Sequence, residues 1–410
     1  MTFKRTIVLS AAALLVASAA SSQQLRFDDV IRNLRNPDPK ARLDAIRLLR
    51  EAKYPEAIAP LAPLVLDELD DVQLEAIAAE LAFFLDQDVK TKKMIGFVVE
   101  KRTSAIAAAA FDLGPLVVWP RAVPADLVTS LLQAVDDESA KVRLEAIYAA
   151  GVIARAPLTA AQGQRLTKAL DHYDPAVRAA AARVIGRLKL TEAGDALIKA
   201  VNDSQAGVRH AAMRALGAIR EARAVNALSE QFAFYKKGEG AWSALEALAQ
   251  IGAPASVPLF KERLGDKDPY IRRAATEGLG RAGDVASIEV LEQNIGTDDS
   301  AMVRLATAFA LHKLGRNYAA RIVDLMNSSK VLAQGQEYLV ELGPAMMPML
   351  LPRVQDPDPA LREALADVLG AIGDHSAVPA LEAAAKDGSV AVAAAAKRAL
   401  ARLTQTVGGQ

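Results

Sequence analysis

The chain has 410 residues and carries 49 basic side chains (Lys and Arg) against 49 acidic ones (Asp and Glu). The resulting formal net charge of zero argues against a DNA- or RNA-binding protein, which usually presents a strongly basic face. Cysteine is absent, which excludes disulfides, thiolate metal sites and a Cys nucleophile. A single hydrophobic core rarely grows beyond about 250–300 residues, so this length favours several domains or a core that lengthens by repetition.

Residues 1–22 have the pattern of a secretory signal peptide. Lys4 and Arg5 precede an apolar run, and small residues provide a cleavage site near Ala19-Ala20. The run is shorter than the roughly 20 apolar residues that a membrane-spanning helix needs. We therefore expect a periplasmic or secreted protein with no stable membrane insertion after cleavage, and an uncleaved anchor is the alternative.

The rest of the chain repeats one unit at intervals of roughly thirty residues. The clearest copies begin with Asp-Pro, as at Asp268-Pro269. This pair is typical of a helix start, because the Asp side chain accepts bonds from the amides of the first turn and Pro is preorganised for the first helical position. A glycine-containing turn such as Gly194-Asp195 or Gly283-Asp284 ends the helix, and a second, shorter helix follows. Apolar residues of the first helix follow a helical period. Around Arg178 these residues are Val177, Ala180, Ala181, Val184, Ile185 and Leu188.

The unit resembles the HEAT repeat, in the HEAT-like form first described in phycocyanobilin lyases. The resemblance rests on Asp-Pro-x-Val/Ile/Leu-Arg, then Ala-Ala, then Leu-Gly and a Gly-Asp turn. It implies an all-α fold, an α-solenoid in which antiparallel helix pairs of HEAT-like or armadillo type stack into a right-handed superhelix. We expect roughly a dozen hairpins over residues 23–403, with irregular stretches at 86–125, 231–252 and 316–350 and a frayed tail at 404–410.

Arginine and aspartate recur at fixed positions of the unit. We interpret them as a structural ladder, in which each Arg bonds an Asp of its own or the adjacent repeat. A basic ladder for phosphate is the alternative, but these arginines follow the repeat position instead of clustering on a net-basic face. The predicted ladder comprises Asp174, Arg178, Arg209, Asp268, Arg272, Arg304, Asp358 and Arg362.

The sequence contains no recognisable catalytic motif. His172, His210, His312 and His375 are dispersed, and none is followed by Glu. Deoxyhypusine hydroxylase, an enzyme built from similar repeats, binds iron with His-Glu pairs, so its activity is not implied here. A G-x-S-x-G motif and a phosphate-binding loop are also missing. We predict a non-enzymatic protein with no catalytic, metal-binding or cofactor-binding residues.

The irregular stretches are the candidate contact sites for a partner. Aromatic residues with Lys or Arg are enriched at contact hot spots, although they also fill gaps in irregular hairpins. The candidate partner contacts are Phe232, Phe234, Tyr235, Lys236, Lys237, Trp242 and Trp119.

We expect an exported repeat scaffold that binds a protein or peptide of the cell envelope along its concave surface. In the repeat proteins that it resembles, the second helix of each hairpin lines that surface. The corresponding segments here are residues 196–201, 225–232, 257–263, 285–294 and 378–386. The alternatives are a lyase-like or chaperone-like accessory holding a chromophore or small molecule, and a HEAT-like nucleic-acid binder, which the neutral charge disfavours.

Overall fold

The computed structural model describes residues 27–85, 106–155 and 157–407. The predicted signal peptide and much of the irregular stretch at 86–125 lie outside these residues. The described chain divides into two units, of which unit 1 contains residues 27–85, 106–110 and 122–153. Unit 2 contains residues 111–121 and the chain from 154 onward.

Unit 1 is built from short helices that follow one another in antiparallel pairs. Its third helix is a single α-turn continued by a 3₁₀ turn over Ala62–Leu66. The helices are α1 Phe27–Asn33, α2 Pro39–Ala52, α3 Ile58–Leu61, α4 Asp70–Phe84, α5 Ile106–Asp112, α6 Ala125–Gln133 and α7 Ala140–Ile153, the last two residues of α5 belonging to unit 2.

Unit 2 is an array of helical hairpins, in each of which a longer first helix alternates with a shorter second helix. The first helices are α9 Pro175–Leu188, α11 Ala206–Ala218, α13 Gly238–Ile251, α15 Pro269–Arg281, α17 Ala301–Lys313, α19 Ser329–Leu342, α21 Pro359–Ile372 and α23 Val390–Val407. The shorter helices are α8 Ala160–Ala169, α10 Gly194–Ala200, α12 Val225–Tyr235, α14 Val257–Arg263, α16 Ile288–Thr297, α18 Ala319–Leu325, α20 Met347–Leu350 and α22 Val378–Ala384.

The structure confirms the all-α solenoid fold and the predicted Asp-Pro helix starts. Asp38, Asp174, Asp268 and Asp358 are each the N-cap of a helix whose first residue is the following proline. Each carboxylate accepts a bond from the amide two residues further on, which satisfies one of the free amides of the first turn. None of the helices described in the structure combines the length and the apolar content that a bilayer crossing requires.

Successive first helices pack directly on one another through glycine. A methyl group placed on Gly280 of α15 would lie 2.6 Å from the Cα of Ala310 in α17. The same close approach recurs between α21 and α23, where a methyl group placed on Gly370 would lie 2.6 Å from the Cα of Ala399. Glycine is therefore required at these positions by the close approach of two helix backbones.

Gly280→Ala is expected to destabilise the protein by about 1–3 kcal/mol, because the added methyl overpacks the α15–α17 contact. Gly296→Ala is the matched control, since Gly296 lies in α16 with no other group within 4 Å of the added methyl. It should be neutral or stabilise by up to about 1 kcal/mol. Urea titration followed by circular dichroism measures both changes, and equal midpoints for the two variants would contradict the packing described.

The first helices of unit 2 converge at their C-terminal ends. Arg220, just after α11, forms an ion pair of 3.6 Å with Glu341 of α19, although α13, α15 and α17 lie between them in the row. Helices in a straight row are about 8–10 Å apart, so four steps would separate these side chains far beyond their reach. The expectation that second helices line the inside of the curve is therefore wrong in unit 2, because the side chains that meet across it come from first helices.

Candidate functional site

Arginines one turn into the first helices link each repeat to the next. Arg178 donates to both oxygens of Asp203 at 2.7 and 2.8 Å, Arg272 binds Asp298 at 2.8 and 2.9 Å, and Arg362 binds Asp387 at the same two distances. The Nη1 group of Arg178 also donates to the carbonyls of His172 and Tyr173 in its own turn. Each Arg thus holds its own turn to the following one. The acceptors are the aspartates that open the next turn, whereas Asp174, Asp268 and Asp358 serve as helix caps.

Two steps of this ladder use aromatic side chains. Arg209 donates to the hydroxyl of Tyr235 at 2.6 Å, and the indole Nε1 of Trp242 donates to Asp268 at 2.6 Å. The ring of Trp242 stacks on Tyr270 with 4.5 Å between ring centres. Arg304 donates to the carbonyl of Asp298 in its own turn. The irregular hairpin α12–α13 is therefore joined to its neighbours by Tyr235 and Trp242 in place of an Asp/Arg pair.

These contacts divide the predicted partner-contact residues into two groups. Phe232 is buried under the guanidinium of Arg263, while Tyr235 and Trp242 are engaged in the ladder. The remaining three residues of this hairpin, Phe234, Lys236 and Lys237, are exposed. Trp119 lies elsewhere in unit 2, in the segment Phe111–Arg121. For Phe232 the prediction is wrong because its side chain packs inside the hairpin.

Exposed aromatic rings stand along the N-terminal ends of the first helices. Tyr173 is 80%, Phe234 70% and Tyr270 40% exposed. Together with Lys236 and Lys237 we call this set the turn edge. Sequence reasoning missed Tyr173 and Tyr270, although both flank an Asp-Pro helix start, where the repeat pattern places no core position.

A buried charged cluster joins the converging ends of α15, α17 and α19. Arg281 binds Glu277 at 2.9 Å and Glu341 at 2.9 Å, and Tyr338 donates its hydroxyl proton to Glu277. The ring of Tyr338 stacks on Phe309 of α17 with 4.2 Å between centres. Because the two carboxylates are held by one guanidinium and a phenol, this cluster ties α15 directly to α19. Sequence reasoning missed it.

The repeat architecture matches a known family over more than half of the chain. A family model for HEAT repeats matches residues 163–233, 238–312 and 327–405. The chain belongs to the HEAT-repeat family. A search of curated protein sequences found no match.

Several solved structures are similar to this chain at low sequence identity. An engineered protein is 20% identical, with a TM-score of 0.45, and the match covers 92% of this chain and 98% of the other. The CpcE–CpcF complex of phycocyanin lyase from Nostoc is 19% identical, with a TM-score of 0.34 and coverage of 77% and 99%. Kap121p bound to Nup53p is 15% identical, with a TM-score of 0.38 and coverage of 92% and 44%.

Burial and pairing act in opposite directions on the charges inside the HEAT array. Burial raises the pKa of Glu337, and the negative charge of Glu277 adds to that effect. Burial also raises the pKa of Glu341, but its bonds to Arg281 outweigh this and leave its pKa below the usual value. Glu341 therefore stays ionised at neutral pH and stabilises the paired arrangement.

Unit 1 contains a buried carboxyl group that has no such partner. Glu80 of α4 is fully buried, and neither of its oxygens has a hydrogen-bond partner among the described residues. Burial raises its pKa well above the usual value, so the neutral acid is favoured. Within the described ranges, no three His, Asp or Glu side chains are grouped so as to hold a metal ion.

Proposed function

We propose that this protein is an exported HEAT-repeat scaffold that binds a protein or peptide partner along the turn edge of unit 2 and performs no chemistry of its own. The observation that carries the proposal is the row of exposed rings formed by Tyr173, Phe234 and Tyr270. Export is proposed from the N-terminal sequence alone, with its basic residues, apolar run and small-residue cleavage site.

The ladder supports this proposal because it holds the turns that carry the rings in a fixed order. Arg178 joins the turn of Tyr173 to the next turn, Arg209 joins that turn to Tyr235, and Trp242 joins α13 to the turn before Tyr270. Three steps of about 8–10 Å place the outer rings roughly 24–30 Å apart. An extended peptide of about eight residues spans that distance.

The chemistry of the edge suits a protein partner. Tyrosine and phenylalanine lose little side-chain entropy on binding and bury a large area, which is why aromatic residues dominate contact hot spots. Lys236 and Lys237 beside Phe234 add mobile positive charge at the rim. Neither Tyr173 nor Phe234 contributes to the core, since both side chains are largely exposed.

An affinity pull-down from the periplasmic extract of the source cells tests the proposal, with the tagged chain expressed behind its own N-terminal segment. We expect the chain to be recovered in that extract together with one or more stoichiometric partners. Tyr173→Ala combined with Phe234→Ala should reduce recovery of the partner at least tenfold. Tyr235 and Trp242 are left unchanged, because they hold the ladder together.

The matched control changes two exposed apolar residues outside the turn edge, Val285→Ala with Val290→Ala. It should retain the partner fully. Equal recovery with both double variants would refute the turn edge as the contact, and absence of the chain from the periplasmic extract would refute export.

A further inference from the structure

The segment Phe111–Arg121, which we call the strap, lies in unit 2, where arginine side chains bind its main-chain carbonyls. Residues on either side of it, up to 110 and from 122, belong to unit 1. After α5 the strap turns at Gly114, whose φ is 87°, and continues through a short 3₁₀ turn over Pro115–Val117. It then runs extended at Val118.

Arginines from both ends of the helix row reach the strap carbonyls. Arg187 of α9 donates to the carbonyl of Phe111 at 3.1 Å, and Arg155 donates to that of Trp119 at 3.3 Å. Arg402 of α23 donates to the carbonyls of Pro115 at 3.3 Å and Val118 at 3.1 Å, and also to that of Leu116. Gln405 of α23 adds a bond to the carbonyl of Pro120.

Side chains of the strap also make contacts, beginning with the first two residues. The ring of Phe111 lies 4.0 Å from the guanidinium carbon of Arg187, and Asp112 pairs with Arg183. Further along, Val118 is buried. Because each carbonyl has two lone pairs, this arrangement selects a turned backbone that presents its carbonyls to the arginines, and it adds apolar contacts at two positions.

Several positively charged side chains surround the strap. Burial lowers the pKa values of Arg187 and Arg402. The negative charge of Asp367 raises that of Arg402, while the neighbouring charges of Arg398 and Arg155 lower it further. Partly desolvated guanidinium groups in such surroundings gain from any ligand that presents several oxygen acceptors.

The strap itself is a ligand that presents several oxygen acceptors. Pro115 and Pro120 have no N–H groups, so these positions bring acceptors to the arginines without donors that would need partners of their own. Leu116, Val117 and Val118 supply apolar side chains between the two prolines. The segment is thus a peptide of defined chemistry that is already bound.

We propose that Arg155, Arg187 and Arg402 form a binding site for the main chain of an apolar, proline-containing peptide in the turned conformation of the strap, and that the strap is its ligand in cis. This inference rests on the proposed function and names the class of peptide partner, at a surface separate from the turn edge. A partner segment with the chemistry of the strap would displace it.

A fluorescent peptide with the sequence of residues 111–121 tests the site by anisotropy. In the intact chain the bound strap competes with the added peptide. The apparent affinity for the peptide is therefore reduced in proportion to the fraction of sites that the strap occupies. Phe111→Ala with Val118→Ala weakens the strap and leaves in place the three arginines that bind its carbonyls. This variant should bind the peptide at least tenfold more tightly than the unchanged chain does.

Adding Arg402→Ala to that variant should reduce peptide binding at least tenfold. Adding Arg316→Ala, which removes an exposed arginine paired with Glu292, is the matched control and should leave binding unchanged. Equal binding by the two arginine variants, or no binding by a strap-weakened variant that keeps its helical circular dichroism, would overturn the inference.

A second measurement avoids weakening the fold. Because the chain has no cysteine, Leu113→Cys on the strap can carry a single nitroxide label. Excess unlabelled peptide should increase the mobility of the label, and a spectrum unchanged at saturating peptide would overturn displacement. The turn-edge variant Tyr173→Ala with Phe234→Ala should bind the peptide normally, so failure of the turn edge and failure of this site give different results.

Discussion

Leu369→Asp is expected to destabilise unit 2 by at least about 5 kcal/mol. Leu369 lies in α21 with none of its surface exposed, in a core that includes Leu365, Val368 and Ala396. The substitution loses the burial of a leucine side chain, about 1.5–3 kcal/mol, and places a carboxylate without a partner in an apolar environment, which costs several kcal/mol more. Urea unfolding followed by circular dichroism at 222 nm measures the change.

Val390→Asp provides the matched control for this prediction. Val390 is 85% exposed and is the first residue of α23, the helix that packs on α21. An acidic residue at a helix start is neutral or mildly favourable, so the free energy of unfolding should change by less than about 1 kcal/mol. If both variants unfold at the same urea concentration, the periodic apolar residues of α21 do not form the core of unit 2.

Arg281→Ala is expected to destabilise the protein by about 3–5 kcal/mol, because it removes the closest cationic partner of Glu277 and Glu341 and leaves them only ion pairs of 3.5–3.6 Å. For an array of this size the melting temperature should fall by at least about 6 °C. The physical reason is the desolvation of two carboxylates that have lost their closest compensating charge, and the loss of packing of Arg281 on Phe309 adds to it.

Arg316→Ala again serves as the control, since its pair with Glu292 is about half exposed. Such surface pairs contribute only about 0–1 kcal/mol. A melting temperature for Arg281→Ala equal to that of Arg316→Ala would show that the cluster does not hold α15 to α19. Tyr338→Phe should give an intermediate loss, because Glu277 keeps its bond to Arg281.

The helix starts could be predicted from the sequence because they depend on local chemistry. Asp-Pro can satisfy a first-turn amide, and four of the five pairs in the sequence begin helices in the structure. The fifth, Asp356-Pro357, lies in the turn directly before Asp358-Pro359. The helix ends were less predictable. Gly194-Asp195 was expected to end α9, but α9 ends at Lys189 in the left-handed conformation and Gly194 begins α10. A lysine tolerated at positive φ has no sequence signature.

The charged cluster and the strap could not be predicted, because both depend on the curvature of the array. A small change in rotation per repeat decides whether Arg220 and Glu341 meet or lie far apart. Likewise, the composition of residues 111–121 marks an irregular stretch but does not show that Arg402, almost 300 positions away, binds it. The hydrogen bonds of Tyr235 and Trp242 could not be predicted either, because the sequence shows only that both residues lie in an irregular hairpin.

Site-specific photo-crosslinking in the source cells tests the central claim, that the turn edge binds a protein partner, most directly. A photoreactive phenylalanine analogue at position 234 replaces an exposed ring by another, so the fold should be retained. The same analogue at position 285 is the control. A discrete adduct with one partner protein at 234, weaker or missing at 285, is the predicted result. The same adducts at both positions, or none at 234, would contradict the account.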